Sequence, residues 1–172
     1  MRTACISAIT LFAVCGLAAC TGSPPLETVP PQAAETITVA VGPCFGFCPV
    51  YAATVTPVGL VRFDGQRHTA VLGEQTRTID QASYRKLARD LAAFRPPSGT
   101  EAVVECTAAV SDTSTYTVTW ADAAGRKTVA TVQSGCPGGT GRTLVELLRG
   151  LPGRLGIADL AKQVTRPGAS RG

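Results

Sequence analysis

Cys44 and Cys48 stand four apart inside Gly42-Pro43-Cys44-Phe45-Gly46-Phe47-Cys48-Pro49-Val50-Tyr51, the segment of this chain richest in possible chemistry. Two thiols at that spacing admit three uses. As thiolates joined by a distant imidazole they would hold Cu(I), which soft sulfur ligands select. His68, the only histidine, is the one candidate for that imidazole. As an exchanging dithiol they would want a helix N-terminus beneath the attacking sulfur to lower its pKa. Cys48 instead leads into Pro49-Val50-Tyr51, which reads as strand, and the spacing is not Cys-x-x-Cys. As a structural disulfide they would clamp a tight turn, with Gly42-Pro43 and Gly46 supplying the bends. The disulfide is the expected use, and thiol-redox or copper handling by Cys44 and Cys48 is the alternative.

Which use is open depends on the compartment, and the N-terminus speaks to that. Met1-Arg2-Thr3 is a short positive start followed by the apolar run Ala4 to Val14. That run is too short to span a bilayer, which takes about 20 residues, and fits the apolar part of a secretory signal. Leu17-Ala18-Ala19-Cys20 has the form of a bacterial lipobox, so Cys20 is expected to carry lipid after cleavage. Several acyl chains, at about 0.8 kcal/mol per buried methylene, anchor far better than one. Thr21, where inner-membrane retention would ask for Asp, points to the outer membrane of a Gram-negative bacterium, with the chain on its periplasmic side. The membrane, through that lipid, is the first expected partner. Thr21 to Ala34 holds Pro24, Pro25, Pro30 and Pro31 and reads as a semi-rigid spacer. The expected organisation is a signal peptide at 1–19, the lipidated cysteine and Pro-rich tether at 20–34, one domain at 35–164 and a tail at 165–172.

An oxidising periplasm favours disulfides. Of seven cysteines, Cys5 and Cys15 leave with the signal and Cys20 takes lipid. Cys44, Cys48, Cys106 and Cys136 remain, an even set with three possible connectivities. Tight turning pairs Cys44 with Cys48, and a hairpin centred near Ala123 carries Cys136 back towards Cys106; the two crossed arrangements stay open. Other chemistry is thin. Gly138-Gly139-Thr140-Gly141-Arg142-Thr143 opens a helix as a phosphate loop would, but Cys136 and Arg142 stand where that pattern needs Gly and Lys. His68 reads as a partly exposed residue at a strand end. Asp112 and Asp122 sit in turn contexts, where Asp bonds its own backbone. Glu101, Glu105 and Asp112 form a carboxylate site only if the fold gathers them. No His-Glu-x-x-His occurs. No catalytic residue, metal site or cofactor is therefore expected, and an enzyme is not.

The elements that must position these groups follow from periodicity. Thr36 to Val41 alternates polar and apolar, the period of a half-buried strand. Val50–Thr56 and Leu60–Phe63 flank Pro57-Val58-Gly59 as a hairpin, Thr69–Ile79 reads as a further strand with Gly73 at a bend, and Thr113–Trp120 and Arg126–Gln133 make a second hairpin. Asp80 caps a helix whose stripe is Tyr84, Leu87, Ala88, Leu91 and Phe94, ended by Pro96-Pro97. Thr143 and Glu146 have capping-box spacing before the stripe Leu144, Leu147, Leu148 and Leu151. Ala102-Val103-Val104 suggests a short strand, and Tyr116 and Trp120 share a strand face, where core packing is the expected role. The expectation is an α+β fold, an antiparallel sheet with two main helices packed on one face, in a single disulfide-braced domain. Hydrophobic residues make up 45% and charged ones 16%, which excludes wholesale disorder. A formal charge of +4 without a basic run argues against nucleic acid.

The Cys44 segment resembles a family of bacterial envelope lipoproteins known by a domain of unknown function, 6438, which shares the run Gly-Pro-Cys-Phe-Gly-x-Cys-Pro-x-Tyr. The resemblance continues through Val61-Arg62-Phe63, Thr76 to Asp80, Ser111-Asp112-Thr113, Thr117 to Trp120 and Gly135-Cys136. It implies an address and a fold but carries no activity. Cys44-x-x-x-Cys48-Pro49 also resembles the copper loop of Sco-type assembly proteins, although the βαβ opening of their thioredoxin fold is missing. The expected role is a non-catalytic binding or structural module of the envelope, its partner another envelope protein, the cell wall or a small ligand. Sequestering a foreign hydrolase is a further option.

Overall fold

The computed structural model describes residues 35–165. The signal, Cys20, the tether and the tail from residue 166 lie outside the described residues. Seven strands form one sheet: β1 (Thr36–Val41), β2 (Val50–Val55), β3 (Leu60–Arg67), β4 (Gly73–Thr78), β5 (Glu101–Val103), β6 (Thr115–Ala121) and β7 (Lys127–Gln133). Their order across the sheet is β4-β3-β2-β1-β6-β7-β5. The helices are α1 (Gln81–Ala92), α2 (Gly139–Arg149), α3 (Leu151–Arg154) and α4 (Ala158–Ala161).

This overturns the expected architecture of an antiparallel sheet under two main helices. The sheet is mixed: β5 pairs parallel to β7, with Ala102 opposite Ala130. The chain leaves β4 at one edge and runs through α1 to the opposite edge, so β5 arrives pointing the same way as β7. Tight turns oblige antiparallel pairing only where a tight turn exists, and none links β5 to β7. The helical part is also divided, with two four-residue helices after α2.

Local chemistry explains most boundaries. The Asp80 carboxylate accepts from the Ser83 backbone N–H at 2.7 Å, and the same contact holds that carboxyl below its usual pKa. At Gly59, φ is +85° and a Cβ would meet the Ile79 carbonyl oxygen at 2.0 Å, so the β2–β3 turn needs glycine. The capping box is not realised. α2 begins four residues before Thr143, with Gly138 as N-cap, and Glu146 pairs with Arg142 at 2.8 Å instead. The strand expected from Thr69 starts only at Gly73, because Thr69 to Leu72 lies against the C-terminal segment: Val71 N–H donates to the Leu160 carbonyl.

The core lies on one face of the sheet. Ile37, Val39, Phe63, Val118, Trp120 and Val132 meet Tyr84, Leu87, Leu91, Leu144, Leu148 and Leu160 from the helices. Trp120 is thus core, and Tyr116 packs at its margin. The other face is read from the register. Thr38 lies between Thr54 and Thr119, and Ala40 between Ala52 and Thr117. All six are half-buried.

Candidate functional site

The strand register gives the domain two ends. Ile37 pairs with Val55 and Trp120, so the β2–β3 and β6–β7 turns lie where Glu35 leads into β1. Val41 pairs with Tyr51 and Tyr116, which places the loops after β1, before β6 and after β7 together at the far end, about 20 Å away for a six-residue strand. All four described cysteines belong to that far end, here called the cysteine pole.

Cys44 is bonded to Cys48 with Cα atoms 5.8 Å apart, and Cys106 to Cys136 with Cα atoms 5.6 Å apart. The first bridge closes the β1–β2 loop. Its base is fixed by backbone hydrogen bonds, Gly42 N–H to the Thr115 carbonyl at 2.9 Å and Phe45 N–H to the Asp112 carbonyl at 3.1 Å. Phe45 at the tip is 72% exposed and lines a shallow cavity with Pro43, Cys44, Asp112 and Thr113. Val110, in the neighbouring loop, is 55% exposed. The second bridge ties the segment after β5 to the start of α2, where Gly141 N–H donates to the Glu105 carbonyl at 2.8 Å. That bond uses one of the free amides a phosphate loop would have offered.

His68 departs from the sequence expectation. It is 5% exposed, not a half-open strand end, because the C-terminal segment covers it: Val164 N–H donates to its carbonyl at 2.8 Å. Its φ is +57°, and its ring meets the Phe47 ring edge-on at 5.3 Å. Nε2 has no hydrogen-bond partner among the described residues. The imidazole and the Cys44–Cys48 loop are therefore neighbours, joined through Phe47.

The carboxylates are not gathered. Glu101 stands on the edge strand β5, Glu105 offers its carbonyl to α2, and Asp112 turns the chain with φ at +61°. No ion pair or hydrogen bond among the described residues joins them. Asp122 does what its turn context implies, accepting from the backbone N–H of Arg126 and of Ala124, with its pKa lowered by the Arg126 N–H first.

Sequence reading missed a polar cluster at the Glu35 end. Arg95 Nη2 reaches Glu35 Oε1 at 2.6 Å with both side chains nearly buried, and the Tyr84 hydroxyl donates to the Glu35 carbonyl. Burial, then the Glu35 charge, pushes the Tyr84 pKa up to about 12. Nothing local signals that cluster, since Glu35 and Arg95 are 60 residues apart.

Comparison with known families decides the lineage. The family model described as a domain of unknown function (DUF6438) matches residues 35–151. The chain belongs to that family. No curated protein and no solved structure matches it. The DUF6438 match takes in all seven strands, both cystines and His68, and ends where α3 begins.

Proposed function

We propose that this DUF6438 protein is a lipoprotein held at the outer membrane by lipid on Cys20, and that it acts in the periplasm by binding rather than by catalysis. The carrying observation is the placement of the two ends of β1. Glu35, where the Pro-rich tether would join, is at one end, and Phe45 on its disulfide-braced loop is at the other. A tether attached at Glu35 would hold the cysteine pole away from the anchoring membrane. An exposed aromatic on a loop that loses little entropy on binding is the usual make-up of a contact anchor. The partner is an envelope protein or the cell wall. The test is a photo-crosslinking amino acid at position 45 or at Val58, which is equally exposed at the opposite end. An adduct in intact cells at 45 and none at 58 supports the reading; the reverse pattern overturns it. Membrane attachment is tested separately, by fatty-acid labelling that Cys20→Ser must abolish.

One observation favours a second reading, in which reduced Cys44 and Cys48 handle a soft metal or exchange thiols. It is the unpartnered Nε2 of His68 one ring away from their loop. Free-thiol titration of the native protein separates the two readings, since the binding module has no reactive thiol.

A further inference from the structure

Beside the exposed Phe45 ring lies a carboxylate without a counter-ion. Asp112 and Phe45 line one cavity of about 260 Å³ together with Pro43, Cys44 and Thr113. Backbone bonds hold the two loops in register: Phe45 N–H donates to the Asp112 carbonyl at 3.1 Å, and Val110 N–H to the Gly135 carbonyl at 3.1 Å. The Thr113 hydroxyl accepts from Gly135 N–H at 3.1 Å, and the Cys44–Cys48 bridge closes the other loop. Among the described residues no ion pair includes Asp112. Its carboxylate accepts from the Ser111 hydroxyl at 3.4 Å, a long bond. Nor does the turn require the charge, since at φ +61° Asn is tolerated as well as Asp. The cations of this pole are engaged or distant. Arg142 pairs with Glu146 and Arg149 donates to the Ser134 carbonyl, both in a separate cavity beside α2. Arg67 ends β3, three strand spacings from β6 and so about 15 Å across the sheet.

We infer that this cavity takes the guanidinium side chain of an arginine presented by a partner protein. The inference rests on the reading of Phe45 as a contact anchor and names what it anchors. A cation over an aromatic face is attracted by the ring quadrupole, and a carboxylate beside the ring adds charge and hydrogen-bond acceptors. Of the two strongly cationic side chains, arginine is the better match. Its planar guanidinium can stack on the ring while its fork bonds the carboxylate, whereas an ammonium is a strongly hydrated point charge. Pro43 and the Cys44–Cys48 bridge offer an apolar wall for the methylene stem. Size points the same way. The cavity is smaller than the roughly 300 Å³ at which small-molecule pockets begin, so it suits one protruding side chain better than a free ligand. An acidic or phosphorylated partner would meet Asp112 as a like charge. Arginine is also among the residues that dominate binding energy at protein interfaces, where such anchors tend to face one another.

The experiment is an amide NMR titration of the purified full chain with the capped peptide Gly-Ser-Arg-Ser-Gly and with its citrulline counterpart, which keeps the shape of arginine and lacks the charge. A single detached contact is weak, so saturation by the arginine peptide is expected on the order of millimolar. Shifts should concentrate on Phe45, Gly46, Asp112 and Thr113. The citrulline peptide should bind about three- to fivefold more weakly, a comparison that needs no variant and so cannot fail through misfolding. Asp112→Asn should weaken the arginine peptide by a similar factor with an unchanged melting temperature, and Phe45→Leu by about two- to fivefold. Equal binding of the two peptides, full affinity in Asp112→Asn, shifts confined to other surfaces or no saturable shift would each overturn the inference. An adduct at position 45 in intact cells that survives Asp112→Asn, beside equal binding of the two peptides, would remove the arginine and leave the Phe45 reading standing. Absence of that adduct would remove both.

Discussion

Where Glu35 leads into β1, the domain is held by non-covalent polar contacts in a nearly buried setting: the Arg95 ion pair and the Tyr84 hydroxyl, both resting on the α1 side of the core. At the other end of the same strand two cystines reinforce the backbone hydrogen bonds that hold the loops. Phe45 and Val110 face solvent there while Cys44–Cys48 and Cys106–Cys136 fix the backbone. A small domain can in this way keep apolar side chains exposed. A loop that cannot earn its order from burial can have the entropy of its unfolded state cut by a crosslink. The Glu35 end needs no such help, and its exposed Val58 sits on a tight glycine turn tied to Ile79.

The contrast breaks most visibly at Arg95. Arg95→Met leaves the Glu35 carboxylate buried without its counter-ion, and removing one member of a buried pair costs about 3–5 kcal/mol. Urea denaturation should show that loss, and adding Glu35→Gln should restore a good part of it. An unchanged midpoint in Arg95→Met would mean this end is not held by the pair.

Removing the crosslinks tests the other end. Replacing Cys106 and Cys136 together by Ser opens a loop spanning 30 positions, worth about 3.5–4 kcal/mol in the loop-entropy model. Replacing Cys44 and Cys48 opens a loop of only 4 positions, worth about 2 kcal/mol. Melting of the two variants should rank them in that order. The opposite ranking would mean the short bridge carries native-state contacts, such as the Phe47–His68 packing, that the entropy argument leaves out.

How much of this was legible follows the range of each interaction. The α1 cap at Asp80 and its stripe Tyr84, Leu87 and Leu91 lie within one helix and were readable. So were the hairpins around Gly59 and Asp122. The parallel pairing of β5 was not, because its partner Val129 lies beyond β6 and no turn constrains the two. The start of α2 at Gly139 was missed because glycine makes a poor helix signal, and tertiary contact with Glu105 supplies what propensity lacks. His68 was misjudged because the residues that cover it come nearly a hundred positions later. The Thr and Ala pattern was visible strand by strand, yet only the strand order joins it into one face.

A milder probe of the Glu35 side of the core is pH. Burial raises the pKa of Asp90, but hydrogen bonds from Lys86 and Arg154 outweigh it, so the folded-state value is lowered. A lowered carboxylate pKa gives stability that is present above the unfolded value near 3.9 and is lost as pH falls through the folded value. Asp90→Asn should therefore flatten the acid limb of the stability profile below about pH 4. It should leave the neutral-pH ranking of the cystine variants alone, because Asp90 pairs with Lys86 and Arg154 and with no residue of either bridge. An identical acid limb in the variant would remove Asp90 from the account.

The smallest effect on stability is expected at Phe45, where the contrast between the two ends is sharpest. Its side chain is 72% exposed, so Phe45→Ser removes almost no buried surface. Exposed substitutions of this kind usually change stability within about 0.5 kcal/mol. If the disulfide-braced loop exists to present that ring, the substitution should nonetheless remove the partner captured by a crosslinker placed beside it at Val110. Val58→Ser, an equally exposed change at the Glu35 end, should match it in stability and leave capture intact. Measuring both quantities on both variants separates presentation from packing. A large fall in melting temperature for Phe45→Ser would show that the ring packs against the domain in solution, and equal capture by the two variants would show that it contacts no partner.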